Sequence, residues 1–150
     1  KYLPDVAKIE WAHFTASFAP DMMAINFEWL SQQISNDPDF ILNLHPSVCV
    51  IEQNINAIDI WQGHQSEPVH DIEIVQKTHR ILIWRDQDNL VKIETVSYPL
   101  YAFIQHIQQH VGFAASLSKV YEIPDVDILA FQKEFSGMVT MGLFARLENQ

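Results

Sequence analysis

Seven histidines, one cysteine and a scatter of acids and bases are the groups in this 150-residue chain that could do chemistry. His106 and His110 stand one helical turn apart and could hold one ion between them. Two ligands do not make a site, however, and no carboxylate or cysteine completes the set by spacing, so the pair reads as solvated. His64 and His70 fall in a loop-like stretch, and His13 and His79 sit in regular elements without visible ligand partners. No metal or other cofactor is expected in the chain itself. Cys49 has no second cysteine to pair with and lies in an apolar run; it reads as a small buried hydrophobe and suits a reducing compartment. His45-Pro46-Ser47 reads as a strand entrance, with Ser47 satisfying a local backbone group. There is no Gly-x-Ser-x-Gly turn and no paired catalytic carboxylate in context, and four glycines leave little room for a phosphate-cradling loop. The chemistry expected is therefore binding, without catalysis.

Two sets of residues are candidates for it. Lys77, Arg80, Arg85 and Lys92 gather positive charge on or beside one predicted hairpin in an otherwise acidic chain, where they could steer an acidic peptide, and Trp84 between them could serve as an aromatic anchor. The competing reading makes Trp84 core and the four bases solvated strand positions that guard an edge against aggregation. Trp61 and Gln62 form the second set. Trp61 is expected under the first helix, as tryptophans usually contribute core area; if exposed, it would mark a surface that faces a partner protein.

The elements that must position these residues follow from periodicity. His79–Arg85 and Leu90–Val96 are rich in β-branched and aromatic residues, flank the turn-forming Asp86-Gln87-Asp88-Asn89, and predict a hairpin. Leu100, Phe103, Ile104, Ile107 and Val111 predict a helix that Gly112 ends. Ala114, Leu117 and Val120 point inward on a second, with Ser116, Ser118 and Lys119 outward, until Pro124. A third, capped by Asp125, buries Ile128, Phe131, Phe135, Met138 and Val139 and stops at Gly142, after which residues 143–147 run back toward the hairpin. A hairpin followed by three helices is the order of a winged-helix unit. An extended peptide could add to the exposed hairpin edge as another strand, with pockets between hairpin and third helix for its side chains.

Upstream, Val6, Ile9, Ala12 and Ala16 share one helix face with Trp11 and Phe14 flanking it. Asn26 caps a second helix carrying Phe27, Leu30 and Ile34. Residues 44–52 predict a strand buried on both faces, 55–62 a short helix or turn presenting Trp61, and 63–78 a long loop with a short strand at 71–75. The fold class expected is α+β, with N-terminal helices and a strand packed on the winged-helix-like unit. It should form a single compact domain over 1–150, with sub-lobes 1–78 and 79–150.

Composition excludes several classes. With 48% apolar residues the chain can bury a core. No apolar run approaches the roughly 20 residues needed to cross a bilayer, and no signal peptide is visible, so a cytoplasmic location and no membrane are expected. The net charge of −10 repels a DNA duplex. The third helix offers Asp125, Asp127, Gln132, Lys133 and Glu134, a poor set for phosphate or guanine. A DNA-binding regulator is thus the second reading and nucleic acid an unlikely partner.

Residues 2–12 (Tyr-Leu-Pro-Asp-Val-Ala-Lys-Ile-Glu-Trp-Ala), Leu44-His45-Pro46-Ser47-Val48, Ala57-Ile58-Asp59-Ile60-Trp61-Gln62, Ile81-Leu82-Ile83-Trp84-Arg85 and Gly142-Leu143-Phe144 together resemble, in order, the C-terminal domain of HvfC/BufC-type proteins. The resemblance spans nearly the whole chain, through motifs each only moderately specific. It implies a PqqD-like peptide-recognition fold in the second half, and a helical N-terminal domain, labelled DNA-binding in that family, that would lie before Lys1. It also implies a role as partner of a multinuclear non-haem iron-dependent oxidative enzyme, which acts on a cysteine-containing, ribosomally made precursor peptide. The iron would belong to that enzyme.

Overall fold

A computed structural model describes residues 2–69 and 71–148; His70 lies outside them. The elements are α1 (Leu3–Ser17), α2 (Phe27–Asn36), β1 (Asn43–Leu44), β2 (Cys49–Ile55), α3 (Ala57–Gln65), β3 (Gln76–Arg85), β4 (Val91–Thr95), α4 (Tyr98–Gln108), α5 (Phe113–Tyr121), α6 (Ile128–Thr140) and β5 (Phe144–Ala145). The fold is α+β, built on a three-stranded antiparallel sheet in the order β2-β3-β4. The hairpin is the one expected, but β3 begins at Gln76, and no strand forms over 71–75. Instead the Asn56 side chain holds that segment in place, donating to the Glu73 carbonyl at 2.9 Å and accepting the Val75 N–H at 2.8 Å.

The sheet separates two apolar clusters, because successive strand residues point to opposite faces. Ile81 and Ile83, with Cys49, Ile51, Val91 and Ile93, face α1 and α3 and meet Val6, Ile9, Ala12 and Ala16 there. Leu82 and Trp84, with Val48 and Val50, face the other way and join a larger cluster from α2 and α4 to α6. The first half of the chain thus supplies both the cover of one face and the strand β2 that pairs with β3.

Local signals explain several helix ends. The Asn26 Oδ1 accepts the Trp29 N–H at 2.8 Å and starts α2. Ser97 caps α4 through the Leu100 N–H. Gly142, at φ 78, stops α6 in a conformation that favours glycine.

Other boundaries differ from the expectation. Asp127, not Asp125, caps α6, its Oδ1 accepting the Ala130 N–H at 3.0 Å; Asp125 takes a left-handed turn at φ 56 just before. α4 ends at Gln108 with His110 in the left-handed region, and Gly112 is the N-cap of α5. Ser116 points inward, its hydroxyl bonded to the Val111 carbonyl, so a polar residue sits where the pattern predicts solvent. Ile128 is exposed. The C-terminal β5 pairs with β1 rather than with the hairpin, since Leu143 and Phe144 lead it into the larger cluster beside residues 43–44.

Candidate peptide-binding edge

The hairpin register assigns every main-chain group of β4. Leu82 lies opposite Glu94 and Trp84 opposite Lys92. The Val96 N–H donates to the Arg80 carbonyl, and the Asp86 N–H to the Leu90 carbonyl, both at 2.9 Å. Antiparallel pairs alternate between bonded and non-bonded positions, so Leu90, Lys92, Glu94 and Val96 turn their amides toward β3. Val91, Ile93 and Thr95 therefore turn theirs outward, and among the described residues no strand pairs with β4 on that side.

A hollow flanks this edge on each face of the sheet. On the α3 side, Ile58, Asp59 and Gln62 with residues 93–95 line a cavity of about 430 Å³. On the α6 side, one of about 250 Å³ lies between the hairpin turn and the end of α6, lined by Trp84, Asp86, Asp88, Lys92, Thr140 and Met141 among others. The Ser97 hydroxyl bonds the Glu134 carboxylate and ties the end of β4 to α6, which leaves the cleft open toward the turn. An added strand directs alternate side chains to opposite faces, and here each direction leads to a hollow.

The turn end is rigidly built. The Asp86 carboxylate accepts the Asp88 and Leu90 N–H groups, each at 2.9 Å, and lies 3.6 Å from the Lys92 ammonium. These contacts, the Leu90 bond foremost, hold its pKa below the ordinary carboxylate value.

The five residues expected to recognise peptide do not converge. Trp84 is fully buried, so it cannot anchor a ligand from solution and serves at most as the floor of the smaller hollow. Arg85 is a correction of the same kind. Its side chain, 9% exposed, crosses to α1, where one guanidinium nitrogen donates to the Ser17 carbonyl at 3.1 Å and another lies 2.6 Å from Asp21. It closes the C-terminus of α1, where carbonyls and the helix dipole favour a cation. Arg80 points to the opposite face, pairs with Glu52 at 2.8 Å and lies 4.7 Å from the Tyr98 ring centroid. Lys77 is exposed near the start of β3, and Lys92 alone stands at the candidate edge. Asp86 and Asp88 share its hollow, and Asp59 and Glu94 line the hollow on the other face, so the edge is acidic and the predicted basic patch does not form.

Trp61 is half-buried, 5.7 Å from the His13 ring between centroids, and belongs to the cluster under α1, as its size suggests. Gln62 is exposed and lines the hollow beside Ile93, so it belongs with the strand edge rather than with Trp61. The sequence predicts an exposed hairpin edge, but not that the outward main chain is that of Val91, Ile93 and Thr95. Alternation along β4 shows which side chains share a face, but which edge stays open depends on the pairing of β2.

His45 and Ser47 form a structural network. The Ser47 Oγ accepts the Arg85 N–H at 2.8 Å and lies 2.8 Å from the His45 Nδ1, which also accepts the Ser47 N–H. Burial, and then Arg85, lower the His45 pKa from its ordinary 6.5. A lowered folded pKa means that the unfolded chain takes up the proton first, so this contribution to stability is complete above pH 6.5 and is lost as the pH falls below it. The melting temperature should drop between about pH 7.5 and 5.5, and His45→Asn, which can still accept the Ser47 N–H, should flatten that part of the profile. An unchanged profile in the variant would assign the dependence elsewhere.

Among the described residues no group of three or more metal-ligating side chains occurs. His106 is half-buried on α4 with its pKa lowered by burial, and His110 lies past the helix end. No described helix is long and apolar enough to cross a membrane. Neither a protein-family model nor a curated protein matches the chain.

Proposed function

We propose that this protein is a non-catalytic adaptor that binds an extended segment of a precursor peptide as a fourth strand on β4. The observation that carries the reading is the outward main chain of Val91, Ile93 and Thr95 with a hollow on each side of it. Main-chain bonds supply affinity in this mode, and the two hollows select alternate side chains. The resemblance to HvfC/BufC-type proteins adds the destination: a multinuclear non-haem iron-dependent oxidative enzyme that modifies a cysteine-containing, ribosomally made peptide, with the iron held by that enzyme. The acids around the edge favour a neutral or basic segment over an acidic one.

The element order also suits a DNA reader, but α6 turns Gln132, Lys133 and Ser136 to solvent without an arginine, on a chain of net charge −10. Peptides selected from a displayed library of short linear sequences separate these readings by amide hydrogen exchange. Strand addition should slow exchange at Val91, Ile93 and Thr95, leave Lys92 and Glu94 unchanged, and tolerate salt. Protection on α6 instead, or tight and salt-sensitive binding of duplex DNA, would overturn the adaptor reading.

A further inference from the structure

The residues of α1 are distributed in an unusual way between core and water. The side against the sheet is made of Val6, Ile9, Ala12 and Ala16, all buried. The opposite side carries Leu3, Trp11, Phe14 and Phe18, exposed by 67%, 67%, 54% and 74%. The rings form a continuous row, with 5.7 Å between the stacked Trp11 and Phe14 rings and 4.9 Å between the centroids of Phe14 and the tilted Phe18. The fold makes little use of these rings. At about 150–250 Å² per aromatic side chain they leave on the order of 400 Å² of aromatic surface in water, within the size range of patches that mark interaction sites.

Spacing and charge identify what covers them. Leu3, Ala7, Trp11, Phe14 and Phe18 succeed one another by three or four residues along the whole helix, a straight seam of about 22 Å at 1.5 Å per residue. Such a seam fits a second helix packed lengthwise, not a point contact. α1 and the turn after it hold Asp5, Glu10 and Asp21 against Lys8, and Glu67 follows the end of α3. Lys8 pairs with Asp5, and Arg85 of β3 with Asp21. Glu10, which stands next to Trp11 in the helix, and Glu67 have no cation partner among the described residues. A second copy would bring the same acids, on a chain of net charge −10, against the first.

We infer that the outer seam of α1 docks an amphipathic helix of a partner protein, apolar on one face and flanked by Lys or Arg. The seam lies on the side of α1 away from the sheet and does not include the β4 edge, so both surfaces can be occupied together. The inference stands whether or not β4 binds peptide.

Two synthetic helices with the same Leu/Ile face, one flanked by Lys and the other by Glu, test it when titrated with the full chain, the anisotropy of a dye on the helix reporting binding in native chain and variant alike and tryptophan emission serving as a second readout for the native chain. The Lys-flanked helix should bind, shift the emission to the blue through Trp11, and weaken with salt. The double variant Trp11→Ala/Phe18→Ala should bind it about tenfold more weakly or worse, with an unchanged melting temperature because both side chains lie outside the core. Equal binding of both helices, no binding, or binding that survives the double variant would overturn the inference. So would a concentration-dependent dimer of the native chain that the double variant abolishes, which would assign the seam to a second copy. Hydrogen exchange at Val91, Ile93 and Thr95 should not change with the Lys-flanked helix, which keeps this result separate from that of the strand edge.

Discussion

Trp84→Ala is expected to lower unfolding stability by roughly 3–5 kcal/mol, the range for deleting a large aromatic from a packed core. The side chain is fully buried on the face of β3 turned to α2 and α4 to α6, in the cluster that also holds Phe103, Phe131 and Phe144. The edge-to-face aromatic cluster around Phe103, with ring centroids 5.7 Å from Phe131 and 6.4 Å from Phe144, belongs to the same packing unit. The indole N–H has no hydrogen-bond partner among the described residues. Leaving such a group unpaired in the interior costs about 1–3 kcal/mol, so Trp84→Phe, which removes it along with part of the volume, should be much milder than the alanine change. Urea unfolding of the two variants measures this. Equal midpoints for Trp84→Ala and the native chain would show that the ring is not core, and would restore it as a candidate ligand anchor.

Gly112→Ala should cost on the order of 2–4 kcal/mol, while Gly137→Ala should stabilise by up to about 1 kcal/mol. The contrast comes from space, not from backbone angle. Gly112 has φ −58 and ψ 156, which alanine adopts freely. A Cβ there, however, would lie 2.2 Å from the Asp39 Oδ1 and 2.6 Å from its main-chain carbonyl oxygen. Asp39 cannot simply swing away. Its carboxylate accepts the Ala115 N–H at 3.0 Å, and the adjacent Phe40 carbonyl accepts the Phe113 N–H at 2.9 Å. Together they cap α5 from a segment far away in sequence and set the Phe40 ring 5.3 Å from that of Phe113. Gly137 lies on the exposed side of α6 with nothing within 4 Å of its Cβ position, so alanine there gains helix propensity without a clash. Thermal melts of the two variants should move in opposite directions. If both rise, the approach of the Asp39 segment to α5 is not rigid.

Much of the chain is legible from local chemistry. Asn26 is an N-cap by its residue type and by the helical apolar spacing of Phe27, Leu30 and Ile34 after it; Asp86-Gln87-Asp88-Asn89 is a turn between two β-branched runs; Gly142 ends α6. These depend on interactions within a few residues, which a linear reading can inspect. The alternation of Val48 and Val50 with Cys49 and Ile51 announces a strand covered on both faces, and α1 and α3 lie on one face with the larger helical cluster on the other. The separation of Arg80 from Arg85 is also implicit in the chain, since strand positions five apart point to opposite faces.

Long-range pairing determines the rest. Nothing local in the hairpin tells that β2 takes the free side of β3 and leaves β4 as the edge beside the hollows. The same pairing makes Trp84 core, and the approach of α1 to the end of β3 turns Arg85 from a surface base into the cap of a helix end. The division of aromatics has a similar origin. Trp84 and the rings of α1 are alike in composition, yet one is sealed beneath helices and the others stand in water. Amphipathic period gives the faces of an element but not what covers them, because cover comes from contacts whose partners are distant in sequence and whose choice depends on the summed packing of the whole chain.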